Sequence, residues 1–487
     1  MKKGAPAGSP LYPRIKFAFT DHPITTWAGT ILLRLYFEYI GLRTQIESSL
    51  DSRFKKISNN RIQPVDVLLA WMFGVTMGAN RFEHLTRYRQ EPLLGRLLGL
   101  KRFPSPDTIR RLFLRFDYRA VTEISETLFR FSLSRIPWIL TGHTLDLDST
   151  VFQRYGEQEG SLKGYNPTKR GRPSHHPLIA FLSESRRLLW AVMRSGNAGT
   201  ANGASGFLDQ ALTMLPSGHG ISMLRADSGF FSKEFLAHLE DKQLPYIIVA
   251  RLTRMVRTLV LSRIPAGAWR RVSAGVEVAD ICVSLPNWNG KTRRFVCMRQ
   301  ELSIRPNASG RKLFDLPDYT YHLMVTDLPY AAEMVIRMYA GRADSENRIK
   351  ELKDDLGLGH FVLNSFDATD ATFRMGCVLY NLLAGFRETV LPNRWFGRRL
   401  TAIRDHVLRV GADLIPKANT LVIRFAVPRG DRAEFIRRLS TLTEGMPIAA
   451  QLEWDLTEPE NEPYAHPEDS LNRLPKPPPP AILAGQT

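Results

Sequence analysis

The chain has 487 residues, 44% of them hydrophobic and 23% charged, and its 66 Lys and Arg against 48 Asp and Glu give a net charge of +18. This composition is typical of a globular protein of roughly two to four domains and excludes a disordered or fibrous chain. The positive excess favours a polyanionic partner, and nucleic acid is preferred over a membrane because the most apolar stretch, residues 67–79, is too short to span a bilayer.

The sequence features that report on location favour the cytoplasm. The N-terminal stretch "MKKGAPAGSPLYPRIKF" has two lysines but no apolar segment, so it does not predict a secretory signal. Cys282, Cys297 and Cys377 occur singly, without the spacing of a zinc site, which suits small buried residues in a reducing compartment. His175 and His176 are adjacent and therefore diverge, which makes a poor metal site.

Residues 1–19 are interpreted as an N-terminal arm and residues 20–140 as a helical DNA-binding region. Within it, "KRFPSPD" predicts a turn before a helix that Ser105 or Asp107 would cap. Arg110, Arg111 and Arg115 would project from that helix, and a helix-turn-helix that presents Arg110 and Arg111 to DNA is plausible. An ordinary basic helical surface explains the same arginines equally well.

Alternating and helical patterns follow one another from residue 141 to residue 253. "HTLDLDSTVF" predicts a strand with Asp146 and Asp148 on one face, and "HHPLIAFLSESRRLLWAVMRSGN" predicts a hairpin that turns near residues 183–186. "GISMLRADSGFF" predicts a strand that ends at Asp227, and Ser232 is a candidate cap for the helix that follows. The order indicates a mixed α/β sheet with helices packed on it.

The remaining chain divides into four predicted segments. Residues 254–318 form a β-rich insertion with strands in "RTLVLSRI", "VEVADICVSL" and "TRRFVCMRQELSI", and residues 319–395 complete the α/β core. Residues 396–450 form a smaller C-terminal α/β region. Residues 451–487, rich in Pro and charge, are predicted to be disordered.

The stretch "MYAGRADSENRIKELKDD" predicts a helix with an unusual polar face. At about 100° per residue, Tyr339, Arg342, Glu346 and Lys353 lie within roughly 60° of one another, beside an apolar stripe. Asp344, Arg348, Glu351 and Asp355 are expected on the other side. An amphipathic helix with ion pairs such as Glu346 with Lys350 would explain the polar face, but not a carboxylate between two cations beside the buried stripe.

Three acids therefore stand out: Asp148 in a strand, Asp227 at the end of a strand and Glu346 on the helix after the insertion. Magnesium prefers hard oxygen ligands, and two ions about 3.5–4 Å apart can act on a phosphodiester when carboxylates hold them. A single acid would mean little; the combination of two strand aspartates, a helical glutamate and a basic chain favours phosphoryl transfer on DNA.

In this order of elements the chain resembles bacterial insertion-sequence DDE transposases, which have an RNase H-like catalytic core. Tyr339, Arg342, Glu346 and Lys353 match their Tyr-Arg-Glu-Lys signature in full, and "LDLDSTVFQRYGEQEGSLKGYNPTKRGRPSHHPL" resembles the insertion-sequence group numbered thirteen-eighty. The resemblance covers roughly residues 20–440. It implies an α/β fold: an RNase H-like mixed sheet with an all-β insertion, preceded by a helical DNA-binding region.

The resemblance implies the catalytic set as well. Asp148, Asp227 and Glu346 would hold two Mg²⁺ ions, which Mn²⁺ could replace, and Asp146 stays open as an alternative to Asp148 because both lie on one strand face. The residues implied to bind DNA phosphates near the catalytic set are Tyr339, Arg342, Lys353 and Lys350.

Weaker candidates for DNA contact lie elsewhere. Lys163, Lys169, Arg170 and Arg172 could bind DNA, and a solvated loop is an equal alternative. Trp269 and Trp288 in the insertion could stack on a flipped base, although burial in a small β unit is the commoner role.

The expected function is a Mg²⁺-dependent DNA transposase that binds terminal inverted repeats, cleaves the ends and transfers their 3′-hydroxyl strands to target DNA. A homodimer on paired ends, associated with the bacterial nucleoid and not with a membrane, is expected by the same resemblance. Two alternatives stay open: a metal-dependent DNA nuclease without strand transfer, and a non-catalytic DNA-binding protein on the same fold.

Overall fold

The computed structural model describes residues 23–50, 54, 61–166, 169–286, 288, 290–301, 319–417 and 420–444. The predicted N-terminal arm of residues 1–19 and the predicted disordered tail of residues 451–487 lie outside these ranges. The helices before the central sheet are α1 (Thr30–Tyr39), α2 (Leu42–Ser49), α3 (Pro64–Thr76), α4 (Thr86–Arg89), α5 (Leu94–Leu97), α6 (Pro106–Phe113) and α7 (Tyr118–Leu133).

The local sequence explains where these helices begin and end. α3 starts at Pro64, whose missing N–H costs nothing in a first turn, and stops before Gly78, which has a φ of 102°. α6 starts after Ser105, whose side chain accepts the Thr108 backbone N–H at 3.2 Å, as the sequence predicts. The N-terminal region is therefore helical, as expected.

The strands and the later helices follow in chain order. The strands are β1 (Ile24–Thr25), β2 (His143–Ser149), β3 (Phe152–Gln153), β4 (Leu162–Lys163), β5 (Pro173–His175), β6 (Leu178–Leu182), β7 (Arg187–Val192), β8 (Ile221–Ala226), β9 (Tyr246–Val249), β10 (Arg270–Ser273), β11 (Val276–Ser284), β12 (Thr292–Glu301), β13 (Tyr319–Thr326), β14 (Ala412–Lys417) and β15 (Thr420–Phe425). The later helices are α8 (Ala204–Leu212), α9 (Lys233–Asp241), α10 (Arg254–Leu259), α11 (Ala332–Ala340), α12 (Ala343–Lys350), α13 (Phe366–Val390), α14 (Leu400–Ile403) and α15 (Arg429–Thr443).

Within the described ranges, nine strands form one mixed sheet in the order β10-β11-β12-β13-β9-β8-β2-β6-β7. β2 pairs with β8, and β8 with β9, in parallel, whereas β6 and β7 form the predicted antiparallel hairpin beside β2. The block β7-β6-β2-β8-β9 is the RNase H-like core, so the predicted fold class is confirmed. The parallel pairs place the carboxyl ends of β2 and β8 at the same edge.

The strands of the predicted insertion extend this same sheet. β12 pairs with β13 from Arg294 opposite Thr326 to Glu301 opposite Tyr319, and β11 and the exposed β10 follow outward. The strand predicted for "RTLVLSRI" is wrong, because this stretch lies in α10 and a 3₁₀ turn. Thr253 caps α10, and Val256 and Val260 are buried at helical spacing.

Helix α13 is buried along most of its length and covers β7, which has a strand partner on only one side. The Asn381 side chain accepts the Leu188 N–H at 2.8 Å and donates to the Leu188 carbonyl, also at 2.8 Å. The Asn381 amide thus satisfies the backbone of Leu188 as a neighbouring strand would.

The C-terminal elements close on the N-terminal ones. β14 and β15 form an antiparallel pair, and β1 adds to β14 through Ile24 opposite Asp413. α15 follows this sheet, in line with the predicted α/β region. In the described ranges no helix has both the length and the apolarity needed to cross a bilayer.

Replacing Asn381 by Ala should lower the free energy of unfolding by about 2–4 kcal/mol, because the N–H and C=O of Leu188 would be left buried without partners. Denaturant unfolding of the purified variant measures this. Asn364→Ala, at an exposed side chain, is the control and should change stability by less than about 0.5 kcal/mol. Equal stability of the two variants would contradict the role given to Asn381.

Candidate active site

The site begins with the register of two parallel strands. Asp146 of β2 lies opposite Arg225 of β8, and Leu147 lies opposite Ala226. Two residues further along each chain are Asp148 and Asp227, whose side chains return to the same face because strand side chains alternate. Asp146 and Arg225 therefore form an ion pair, called here the inner pair. Asp148 and Asp227, two residues further along, form the outer pair of carboxylates.

The inner pair is fully buried and fully bonded. The Arg225 guanidinium donates from Nε to Asp146 Oδ1 at 2.7 Å and from Nη2 to Asp146 Oδ2 at 2.9 Å. Ser345 Oγ adds a third donor to Asp146 Oδ2 at 3.0 Å. Asp146 thus receives three hydrogen bonds and is fully buried, whereas Asp148 receives two, from Ser149 and Arg342, so of the two aspartates on this face Asp148 is the better candidate for metal binding.

Arg225 also interrupts the helix that the sequence predicts through residues 338–355. Its Nη1 donates to the Met338 carbonyl at 2.5 Å, the acceptor that the Arg342 N–H would use in a continuous α-helix. The Arg342 N–H bonds the Tyr339 carbonyl instead, and α11 ends at Ala340. A Cβ at Gly341 would lie 2.6 Å from Arg225 Nη1, so glycine leaves room for the guanidinium.

The outer pair consists of Asp148 and Asp227, whose charges influence each other. Asp148 Oδ1 accepts the Ser149 N–H at 2.8 Å, and Asp227 Oδ1 accepts the Gly229 N–H at 2.9 Å. Burial raises the pKa of Asp148 to about 6, with a further rise from the Asp227 charge, while Arg342 opposes both. Two carboxylates held this close at a strand edge are a place where added positive charge is favourable.

Arg342 supplies part of that charge itself. Its Nη2 lies 2.7 Å from Asp148 Oδ2, and the residue is buried. Tyr339 is half-buried and bonded to Arg342; burial raises its pKa, and the charges of Asp227 and Asp148 raise it further. In this arrangement Arg342 contacts Asp148 and Tyr339, so it does not face solvent as a phosphate-binding residue would.

The other residues of the predicted helix face lie further out. Glu346 is exposed on α12, one turn beyond Arg342, and Lys350 is exposed on the same helix. Lys353, in a π-helical turn (Glu351–Asp355), donates to Thr150 Oγ1 at 2.9 Å, and burial lowers its pKa. Among the described residues no ion pair joins Glu346 to Lys350; the helix pairs Asp344 with Arg348 instead, at 2.9 Å.

The opposite side of this segment is not the exposed face that the sequence predicts. Arg348, Glu351 and Asp355 are buried. Glu351 pairs with Arg387 of α13, and Asp355 pairs with Arg399 at 2.5 Å. The prediction fails because charges can be buried when long arginines from remote elements neutralise them, and one helix in isolation does not reveal those partners.

A cleft of about 1070 Å³ opens beside Asp227. Its lining includes cationic Arg81, Arg251 and Lys353, together with Asp354. His176 also lines it; Nδ1 bonds the Ala198 carbonyl at 2.9 Å, and burial lowers the pKa of the imidazole, which keeps it neutral near pH 7. The cleft thus combines a carboxylate at its wall with several cations around it.

The other predicted DNA contacts fall in different environments. Arg110 pairs with Glu83 and Asp107 and lies over the Phe82 ring, whereas Arg111 is exposed on α6. Lys163, Lys169, Arg170 and Arg172 are exposed near the small sheet formed by β3, β5 and β4.

The two tryptophans are half-buried rather than open to a base. The Arg299 guanidinium carbon lies 4.2 Å from the centre of the Trp269 ring. Trp288 packs against Phe231 with ring centres 5.0 Å apart, and Arg293 lies over it. Their ring faces are therefore partly taken by this chain's own side chains.

The outer pair of carboxylates provides part of a ligand set for a divalent metal ion. Asp148 and Asp227 present hard carboxylate oxygens, and one oxygen of Asp227 has no hydrogen bond to the described residues. Glu346 does not join them: among the described residues no group of three or more His, Cys, Asp or Glu side chains could hold a metal. As arranged, the residues do not complete a three-carboxylate site.

Sequence reasoning did not predict the parts played by Arg225 and Ser345. The sequence did contain a signal for Arg225. Arg225 precedes Asp227 by two residues, as Asp146 precedes Asp148, so the two opposite charges occupy equivalent positions in their strands. Nothing in the pattern marked Ser345. It becomes informative only once the helix is placed against Asp146.

The sequence model of the family described as "Transposase DDE domain group 1" matches residues 9–446. The chain belongs to this DDE transposase family. DDE transposases are DNA-cutting and DNA-joining enzymes that generally use divalent metal ions. A comparison with curated proteins finds no match to the chain.

Among solved structures, this DDE transposase is similar to one described as "Cryo-EM structure of piggyBac transposase synaptic complex with hairpin DNA". The two chains share 12% identity, over 88% of this chain and 89% of that one, with a TM-score of 0.41.

The buried pair should show strong energetic coupling. Asp146→Asn and Arg225→Met should each lower the free energy of unfolding by about 3–5 kcal/mol, because each leaves the other partner buried without its counter-charge. The double variant should lose less than the sum of the two single losses. Denaturant unfolding of all four proteins gives the coupling energy.

The exposed pair of Arg119 and Glu123, 2.6 Å apart, is the control, and its coupling should stay below about 0.5 kcal/mol. Additive losses at Asp146 and Arg225 would show that the ion pair does not hold the two strands and the helix together.

Proposed function

We propose that this protein is the transposase of a bacterial insertion sequence. It binds the terminal inverted repeats of its element, cleaves the ends and transfers their 3′-hydroxyl strands to target DNA. The observation that carries this proposal is the outer pair of carboxylates, Asp148 and Asp227, at the shared carboxyl edge of β2 and β8 in a chain of the DDE transposase family.

The proposed catalytic carboxylates are Asp148, Asp227 and Glu346, with two Mg²⁺ ions, replaceable by Mn²⁺, as their cofactors. Bound divalent ions supply positive charge at a phosphodiester. Asp148 and Asp227 lie at the ends of neighbouring parallel strands. Burial and the Asp227 charge raise the pKa of Asp148, so a bound cation would stabilise its charged form. Glu346 is exposed one turn from Arg342, so a shift of α12 is required to bring it to the pair.

Arg342 is central to that shift because it now neutralises Asp148. We propose that Arg342 moves to a DNA phosphate when DNA and metal are bound, where its planar guanidinium makes paired hydrogen bonds. Tyr339, Lys350 and Lys353 would complete the phosphate contacts. Lys353 supports this role best, since it lines the cleft beside Asp227.

The proposed division of labour follows the predicted segments. Residues 20–140, with Arg111 exposed on α6, would bind the repeat sequences, and the core formed by residues 141–253 and 319–395 would carry the chemistry. The net charge of +18 supports binding to DNA along an extended surface. Two ends must be held together for paired cleavage, so we propose a homodimer on DNA.

Replacing Asp148, Asp227 or Glu346 by Ala should reduce cleavage of DNA that carries the flanking inverted repeats by roughly 10³-fold or more, the scale of loss of a catalytic group. Gel assays with Mg²⁺ measure cleavage, and mobility shifts measure binding, which should persist.

Asp241→Ala, at an exposed acid that ends α9, is the control and should cleave as the wild type does. Retained cleavage in one variant removes that residue from the set. Retained cleavage in all three variants would contradict the assignment of these residues as catalytic carboxylates.

A nuclease that stops at hydrolysis is the second candidate, because the carboxylates Asp148 and Asp227 would serve attack by water as well as attack by a 3′-hydroxyl. Incubating pre-cut ends with a target plasmid separates the two functions. A transposase should yield joined products that depend on a free 3′-hydroxyl, because that oxygen is the attacking group. Hydrolysis of ends without any joined product would favour the nuclease.

A further inference from the structure

Two tyrosines lie just after β3 and β4, the outer strands of the small β3-β5-β4 sheet, and project into solvent at the cleft beside Asp227. Tyr155 is 73% exposed and Tyr165 is 71% exposed, and both line that cleft. Within the described ranges neither ring packs against another aromatic ring. Large aromatic side chains normally bury their faces, so two open ones at one cleft call for a partner.

Neighbouring residues anchor the backbone next to each tyrosine. Arg154, next to Tyr155, is buried and donates to His175 Nδ1 at 2.9 Å and to the Gly359 carbonyl at 2.6 Å. Tyr165 lies between Gly164 and buried Asn166. A Cβ on Gly164 would lie 1.9 Å from the Gly196 carbonyl oxygen, so the chain packs tightly there.

Asn166 Oδ1, next to Tyr165, accepts the Lys169 N–H at 3.0 Å. Both rings are therefore presented by an anchored backbone. A ring held in place in this way loses little entropy when a ligand stacks on it.

Cations surround the rings. Lys169 Nζ bonds the Tyr155 hydroxyl at 2.9 Å and lies 5.5 Å from the ring centre, which places the ammonium at the hydroxyl edge. Arg172 lies 5.9 Å from the same centre. Arg81, Arg251 and Lys353 line the cleft beyond. Aromatic faces interleaved with cations are the pattern of proteins that bind single nucleic-acid strands.

Resting on the proposed function, we propose that Tyr155 and Tyr165 form a stacking site for unpaired bases of a DNA strand whose backbone lies in the cleft beside Asp227. A paired base has both faces covered within the duplex, so only an unstacked base can use these rings. The cleft volume of about 1070 Å³ is close to that of sites for single small molecules, roughly 300–1,000 Å³, and so fits individual nucleotides.

The site differs from the sequence-based candidates for stacking. Trp269 and Trp288 are half-buried with arginines over their rings. The tyrosines are more exposed, although Arg172 lies over Tyr155 at 5.9 Å, and they border the cleft that contains Asp227. Strand separation next to the cleaved phosphate would leave bases that need such a partner.

The test compares single-stranded and duplex DNA binding by the full chain, using fluorescence anisotropy. The single-stranded probe is a labelled oligothymidylate of about 20 nucleotides, and the duplex is of matched length. Tyr155→Ala and Tyr165→Ala should each weaken binding of the oligothymidylate by about 5- to 150-fold, the range found for loss of one stacked base. Duplex binding should change by less than about 2-fold, since the rings do not contact paired bases.

Tyr155→Phe and Tyr165→Phe should retain single-strand binding, because the ring face is kept. Tyr330→Ala is the matched control: Tyr330 is 50% exposed and follows β13, whose antiparallel direction places it at the end of the sheet away from Asp227. It should leave both probes unaffected.

Three outcomes would overturn the inference in distinguishable ways. Wild-type single-strand affinity in both Ala variants removes the stacking site and leaves the proposed function intact. Equal loss of single-strand and duplex binding assigns the tyrosines to general DNA contact. A wild-type chain that binds neither probe rejects the proposed function, and the stacking site with it.

Discussion

The ion pair between Asp146 and Arg225 is the interaction on which the rest of the site depends. It joins two neighbouring parallel strands, and Arg225 also donates to the Met338 carbonyl, close to the point where α11 ends and α12 begins. Burying this pair is costly unless every polar atom is bonded. Ser345 and Ser183 complete the bonding, and the geometry of the helix junction is thereby tied to the sheet.

The position of the outer pair of carboxylates follows from that of the inner pair. Asp148 and Asp227 follow it by two residues on each strand, so their closeness is a consequence of strand register and not of loop flexibility. Arg342 offsets their mutual repulsion in the described arrangement. Arg342, at the start of α12, thus supplies the positive charge that these carboxylates require. The position of α12 therefore depends on the charges of Asp148 and Asp227.

Patterns of local origin were predicted well from the sequence. Alternation identified β2, and capping residues identified the starts of α6 and α9. What escaped were contacts between remote segments: the break at Gly341 needs an arginine more than a hundred residues away, and Glu351 and Asp355 are neutralised by Arg387 and Arg399. These remote arginines leave no periodic pattern in the sequence around the residues that they contact. Glu346 was singled out by spacing alone, and its role stays a prediction.

The outer edge of the nine-stranded sheet has a consequence for how the protein behaves at high concentration. β10 is four residues long, fully exposed, irregular in register after Arg271 and begins with two arginines. A long flat strand there would offer unpaired N–H and C=O groups to another molecule, and sheets would add to one another. A short edge strand with an irregular register and exposed arginines disfavours pairing with a second copy, which is how open sheets commonly avoid edge-to-edge association.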